Sequence, residues 1–214
     1  MTRVLFLDSE TSGLPRDSAP IEFAGNPVPI EVASVLCESD TPDSKRNVYQ
    51  SYVDFRDVQI EPGAAKAHGI TRTTLEALGR PPVGVMHKLI GDLAACDALV
   101  GHNILFDVKM LQIHAHRTGQ LDKLNEQLGR IEVRCTLKLS QPILRLPPTA
   151  RQVAAGFGNT YKSPNLGEAY RFFHGRDFAG AHGALADCLA ARDVYYAIRK
   201  YQAEQSGGTP LQET

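Results

Sequence analysis

The sequence predicts one α/β domain: a mixed β-sheet, made of an antiparallel meander plus parallel strands, flanked by helices. Three observations carry this. Strand-like segments occupy the first quarter of the chain with no helix between them. Helical periodicity then dominates, interrupted by short single strands. The 214 residues fit one domain with no need for a second. The domain is expected over residues 1–203, followed by a flexible tail at 204–214.

The elements follow in order. Residues 3–7 are short and apolar and read as a buried strand that ends at the first carboxylate, Asp8. Gly13 and Pro15 break it, and the proline-bearing stretch up to Pro29 is expected to be loosely ordered. A second strand is read at 30–37 and a third at 48–55, joined by the polar turn 42–47. A short helix is then read at 64–68, a second one is announced by a capping box of Thr73 with Glu76, and a third is read at 83–95. A short strand at 98–100 leads to a helix that Asn103 can cap and that runs to about Thr118. Further helices are expected at 120–128, 166–173 and 185–202, with a strand and a helical turn within 131–139. The Pro- and Gly-rich stretch 142–164 reads as a loop, either a connector or a substrate-facing excursion.

Composition narrows the class. With 43% hydrophobic and 22% charged residues the chain can bury a sizeable core. It has no apolar run of about 18 residues, so no membrane span is expected. The N-terminus passes directly into a strand-like run, without the pattern of a signal peptide. Cys37, Cys96, Cys135 and Cys188 are spread singly, which argues against a zinc knuckle or a disulfide framework and suits a reducing cytoplasm. The net charge of −1 is unlike that of proteins that grip long nucleic acid, so contact with a nucleic acid would be local or carried by cations.

Against this background a few charged residues stand out. Asp8 and Glu10 are two apart at a strand end, so both leave the same face and repel unless a cation lies between them. Oxygen ligands suit Mg²⁺ or Mn²⁺. Taken alone, the pair reads more readily as two solvated acids at a strand end. Asp107 falls on the packing face of its helix with Phe106, Met110 and Leu111, and Asp187 lines up with Ala191, Val194 and Ile198. Buried acids are rarely unpaired, and no basic partners are evident on the neighbouring faces, so a shared cation site is favoured. His182, among the small residues Gly180, Ala181, Gly183 and Ala184, is a surface histidine or a mobile proton acceptor near such a site.

Together these form the ordered set D-x-E (Asp8, Glu10), H-N-x-x-F-D (His102 to Asp107) and H-x-A-x-x-D (His182 to Asp187). The set resembles the DnaQ-like 3′–5′ exonucleases of the DEDDh type, which include the proofreading exonuclease subunits of bacterial replicative polymerases and several ribonucleases. The similarity runs over residues 4–197, and residues 68–71 and 135–140 resemble stretches between the family's motifs. The resemblance implies a ribonuclease H-like fold in which Asp8, Glu10, Asp107 and Asp187 hold two divalent cations, Mg²⁺ or Mn²⁺, and His182 is the general base. It implies a single-stranded DNA 3′ end as partner, RNA as the second choice, and release of nucleoside 5′-monophosphates. A polymerase or other replication or repair protein is an implied associate. The residues after Glu10, namely Thr11, Ser12, Gly13 and Leu14, match the family's terminal-nucleotide stretch, with Leu14 as an apolar wedge. Asn103 and His68 are further substrate candidates, each with a structural alternative. Two features depart from the family pattern: Ser9 and Ser12 stand where Thr is commoner, and residues 19–29 and 142–164 do not match a generic member. The contrasting class is a non-catalytic binding module of the same fold, which would be expected to lack one of the five residues.

Overall fold

Strand β1 (Val4–Thr11) is the axis of the structure, a computed structural model that describes residues 2–16 and 19–207. Val4, Leu5, Phe6 and Leu7 have no exposed surface. A continuous apolar run of this kind suits a central strand covered on both faces. Around it β2 (Pro29–Cys37), β3 (Arg46–Tyr52), β4 (Ala98–Gly101) and β5 (Glu132–Cys135) build one sheet in the order β3-β2-β1-β4-β5. The β1–β2 and β2–β3 pairs are antiparallel, and β1–β4 and β4–β5 are parallel. The expected mixed sheet is therefore observed, with the meander and the parallel strands on opposite sides of β1.

Strand alternation divides the core in two. Leu5, Leu7, Ile30, Val32 and Leu99 pack on α3 (Pro82–Ala94), α4 (Ile104–Arg117) and α5 (Leu121–Leu128). Val4, Phe6, Ala33, Val35 and Val100 face α9 (Ala184–Gln205), where the Phe6 ring meets Tyr195 edge-on at 5.6 Å. Outside α9, α6 (Thr136–Leu144) and α8 (Leu166–His174) add a smaller apolar cluster around Tyr170, Val194 and Ile198. Among the described residues no helix is long and apolar enough to cross a membrane.

Several expectations are corrected. Strand β1 runs on through both carboxylates to Thr11, because β2 keeps pairing with it as far as Pro29. Strand β3 starts and ends earlier than expected: its ladder with β2 stops at Tyr52, beyond which Val53 keeps one bond to the Ile30 carbonyl at 2.9 Å and forms an isolated bridge with Arg80. The capping box belongs to Thr71 and Thr74, at the head of α2 (Arg72–Leu78), not to Thr73 and Glu76; Glu76 pairs with Arg72 one turn back. Asn103 precedes α4 in the left-handed region, at φ 62° and ψ 35°, and makes no side-chain cap bond. Asn tolerates this backbone well. The 142–164 stretch is not all loop. Pro142 lies inside the last turn of α6, and α7 (Ala150–Ala154), capped by a box of Thr149 and Gln152, stands within the stretch. Helix α9 extends to Gln205, beyond the expected helix end near Gln202, and residues 208–214 lie outside the described residues.

Candidate active site

The parallel register of β1 and β4 places the heads of α4 and α9 at one end of the sheet, where β1 delivers its carboxylates. Asp8 and Glu10 share the face of Val4 and Phe6, toward α9, and Asp187 occupies the first turn of that helix. One carboxylate oxygen from each of Asp8, Glu10 and Asp187 lies within 4.8 Å of the other two. Asp107, in the first turn of α4 and only 3% exposed, is set beside Asp8 but outside this three-way group. Its Oδ1 accepts a hydrogen bond from the Ser9 hydroxyl at 2.8 Å.

No Lys or Arg side chain pairs with any of the four acids among the described residues. The electrostatic consequence is large. Burial, and then the charges of Asp107, Asp187, Glu10 and Glu31, raise the Asp8 carboxyl well above its ordinary range. Glu10 is raised to about 7 by burial and by Asp187 and Glu31, against the opposing influence of His182. Asp107 is raised to about 7 by burial, although the Ser9 hydroxyl pulls the other way. Asp187 is raised by burial, its Oδ2 accepts the His182 amide at 3.3 Å, and its buried Oδ1 has no partner. Burial and mutual repulsion thus both disfavour the ionised form of this group of acids. An all-oxygen donor set with excess negative charge, and an orphan oxygen among it, fits hard divalent cations.

His182 is exposed, in the loop before α9, with a left-handed backbone at φ 68°. Its amide bond to Asp187 ties this loop to the carboxylate group. The sequence reasoning missed Glu31. This residue is 3% exposed and lies directly across from Glu10 in the β1–β2 register. Its Oε2 accepts the Ala184 amide at 3.2 Å and its Oε1 accepts Gln50 Nε2 at 2.7 Å. It therefore holds the head of α9 against the sheet. The signal was present: an acid between Ile30 and Val32 in a buried strand is the same anomaly that marks Asp107.

The stretch after Glu10 is braced. A register shift follows Glu10, Thr11 Oγ1 donates to the Gly13 carbonyl at 2.7 Å, and the Ser12 amide donates to the Val28 carbonyl at 2.9 Å. Ser12 Oγ accepts the Val28 amide at 3.0 Å. Thr11 and Ser12 thus spend these polar groups on the loop itself. The amides of Gly13 and Leu14 have no acceptor among the described residues, and Leu14 is 75% exposed. His68 Nδ1 accepts the Ile70 amide at 3.0 Å, so the hydrogen is assigned to Nε2, which donates to the Thr11 carbonyl at 3.2 Å. Nε2 of His68 thus braces the loop after Glu10, while Nδ1 is held by its own segment. Asn103 is exposed at the head of α4, with its side chain uncommitted to capping.

Comparison with known proteins places this geometry in a family. The Exonuclease (RNase_T) family profile matches residues 5–195. The chain belongs to the RNase_T exonuclease family. Among solved structures, E. coli Exonuclease I in complex with a dT13 oligonucleotide matches with a TM-score of 0.73 at 17% identity, over 97% of this chain and 43% of that one. The dA16 complex of the same E. coli enzyme gives 0.71 at 17% identity over 95% and 42%. Its zinc-bound single-stranded DNA complex gives 0.66 at 16% over 97% and 42%. The chain therefore spans less than half the length of these Exonuclease I chains, and at this identity the likeness shows the fold. No curated protein matches in sequence. Within this family's fold, Asp8, Glu10 and Asp187 form a carboxylate cluster that could hold a metal ion.

Proposed function

We propose that the protein is a DEDDh-type 3′–5′ exonuclease that removes nucleotides from the 3′ end of single-stranded DNA, alone or as a separate subunit beside a polymerase. The observation that carries this reading is the group of Asp8, Glu10 and Asp187, within 4.8 Å of one another and unpaired with any described cation, with Asp107 behind it. Family membership and the DNA-bound Exonuclease I structures support the substrate. Asp8, Glu10, Asp107 and Asp187 would hold two divalent ions, Mg²⁺ or Mn²⁺, which acidify water and stabilise charge building on the phosphoryl oxygens.

The chain's own residues do the rest. The amides of Gly13 and Leu14, which have no acceptor among the described residues, receive the terminal 3′-hydroxyl, and the exposed Leu14 side chain wedges against the last base. His182 takes the proton of the attacking water on its imidazole. The new P–O bond forms as the bond to the 3′-oxygen of the penultimate nucleotide breaks, and that oxygen is protonated by solvent. The products are a nucleoside 5′-monophosphate and a strand with a new 3′-hydroxyl. The left-handed backbone of His182 and its amide link to Asp187 hold the imidazole on an exposed loop beside the carboxylates.

The test is digestion of 5′-labelled single-stranded DNA and RNA with Mg²⁺ or Mn²⁺, beside an Asp8→Ala variant. A ladder shortening by single nucleotides, stronger on DNA and absent in the variant, is expected. Equal activity in variant and wild type would end the reading. A preference for the RNA would move the substrate to a ribonucleotide strand.

A further inference from the structure

The excursion after α6 is more ordered than a connector requires. Its neck is closed by the Lys162 amide donating to the Leu146 carbonyl at 3.0 Å, and Gln141 Nε2 donates to the Tyr161 carbonyl at 2.9 Å. Inside it, α7 ends with the Phe157 amide bonded to the Gln152 carbonyl at 2.8 Å, over Gly156 in the left-handed region. The Thr160 hydroxyl then donates to the Phe157 carbonyl at 2.8 Å. The backbones of Phe157 and Tyr161 are thus fixed on either side of one tight turn. Their side chains are nevertheless 59% and 45% exposed. A braced turn that leaves two aromatic residues this exposed forgoes hydrophobic stabilisation, which points to a ligand with flat apolar faces.

Charge points the same way. Between Glu132 and Glu168 there is no Asp or Glu, while Arg134, Lys138, Arg145, Arg151 and Lys162 fall in that span. In a chain of net charge −1 this is a local excess of positive charge, and Arg145 and Arg151 are exposed and in no ion pair among the described residues. The root of the excursion adjoins the carboxylate end of the sheet. The His102 ring donates from Nε2 to the Pro164 carbonyl at 3.0 Å and accepts at Nδ1 from the Thr136 hydroxyl at 3.0 Å. His102 follows Gly101, which packs so close to β1 that an added Cβ would lie 2.7 Å from the Leu7 carbonyl, one residue before Asp8.

We infer that this excursion is a single-strand platform, on which Phe157 and Tyr161 stack bases upstream of the scissile nucleotide and Arg145 and Arg151 contact the intervening phosphates. The inference rests on the exonuclease reading and extends it to the strand's approach. It also reconciles a near-neutral chain with a polyanionic substrate: the positive charge is gathered where the strand arrives, away from the acidic centre.

The test compares steady-state hydrolysis of dT15, long enough to reach the platform, with that of dT3, which is too short. Wild type is expected to show a much lower KM for dT15 than for dT3. The Phe157→Ala/Tyr161→Ala variant should raise KM for dT15 about fivefold or more for each stacked base lost, with kcat on dT3 unchanged as proof of an intact fold and site. Arg145→Ala/Arg151→Ala should flatten the salt dependence of dT15 binding by about 0.7 in log–log slope per phosphate contact removed. If wild type cuts both strands and the variants match it in KM and salt slope, the platform is refuted while the exonuclease reading stands, and the face belongs to a protein contact instead. If wild type cuts neither strand, both readings fall.

Discussion

Asp107→Asn turns the crowding of the carboxylates into a measurable stability difference. Burial raises the Asp107 carboxyl from 3.8 to about 7 in the folded chain. Between those values the folded state keeps a proton that the unfolded state has released, so stability falls as pH rises through this window and levels off above it. About three pH units at roughly 1.4 kcal/mol each amount to about 4 kcal/mol at pH 8 in the absence of metal. At about 2–4 °C per kcal/mol for a domain of this size, the melting temperature should differ on the order of 10 °C. Asn keeps the shape and can still accept the Ser9 hydroxyl, but it carries no charge. In chelator at pH 8 the variant should therefore melt above wild type, and the gap should shrink toward pH 5. Added Mn²⁺ should raise wild type more than the variant, because the ion relieves a repulsion the variant has already lost. The measurement is differential scanning calorimetry of both proteins at pH 5 and pH 8, with EDTA and with Mn²⁺. Equal melting temperatures in EDTA at pH 8 would show that Asp107 is not a crowded, buried acid, and the four-carboxylate site would lose its innermost member.

Three further outcomes are expected. His182→Ala should lower kcat by about 10²–10⁴ while leaving the Mn²⁺-induced rise in melting temperature in place, which separates proton transfer from ion binding. Glu31→Ala, which frees the Ala184 amide, should cost about tenfold in kcat, and Glu31→Gln should recover part of it because its Oε1 can still accept a hydrogen bond; kinetics of the pair on one labelled strand would show it. Gly101→Ala should destabilise the fold by about 1–3 kcal/mol in urea unfolding, since its Cβ would come within 2.7 Å of both the Leu7 carbonyl and Ile104 Cδ1.

Much of the architecture was legible because periodicity reports burial directly. The apolar run of β1 and the helical spacing of α3 and α9 locate these elements to within a few residues. Asp8, Glu10 and Asp187 were found as anomalies in such patterns, and the structure brings them together. Asp107 was found the same way but sits one step behind them, held by Ser9, a contact across 98 residues that no local pattern encodes. Glu31 escaped because a single acid in a strand reads as a solvent-facing position until the opposite face is known to be covered by α9. Asn103 misled for a related reason. Its residue type suits a cap, but a left-handed backbone, set by how β4 hands over to α4, turns the side chain away from that task. The Pro-rich spacing around 142–164 gave no sign of α7, whose five residues are too few to show a period.

The neck at Leu146 and Lys162 has a consequence for how this fold can change. Because the chain leaves and re-enters the body at one hydrogen-bonded point, whatever lies between is geometrically a cassette. Lengthening or shortening it costs only the slowly growing entropy of closing a loop, with no strand or helix of the body displaced. The carboxylate end of the sheet can therefore stay fixed while the segment proposed to meet the strand is exchanged, so reach and selectivity could evolve separately from the proposed bond-breaking step.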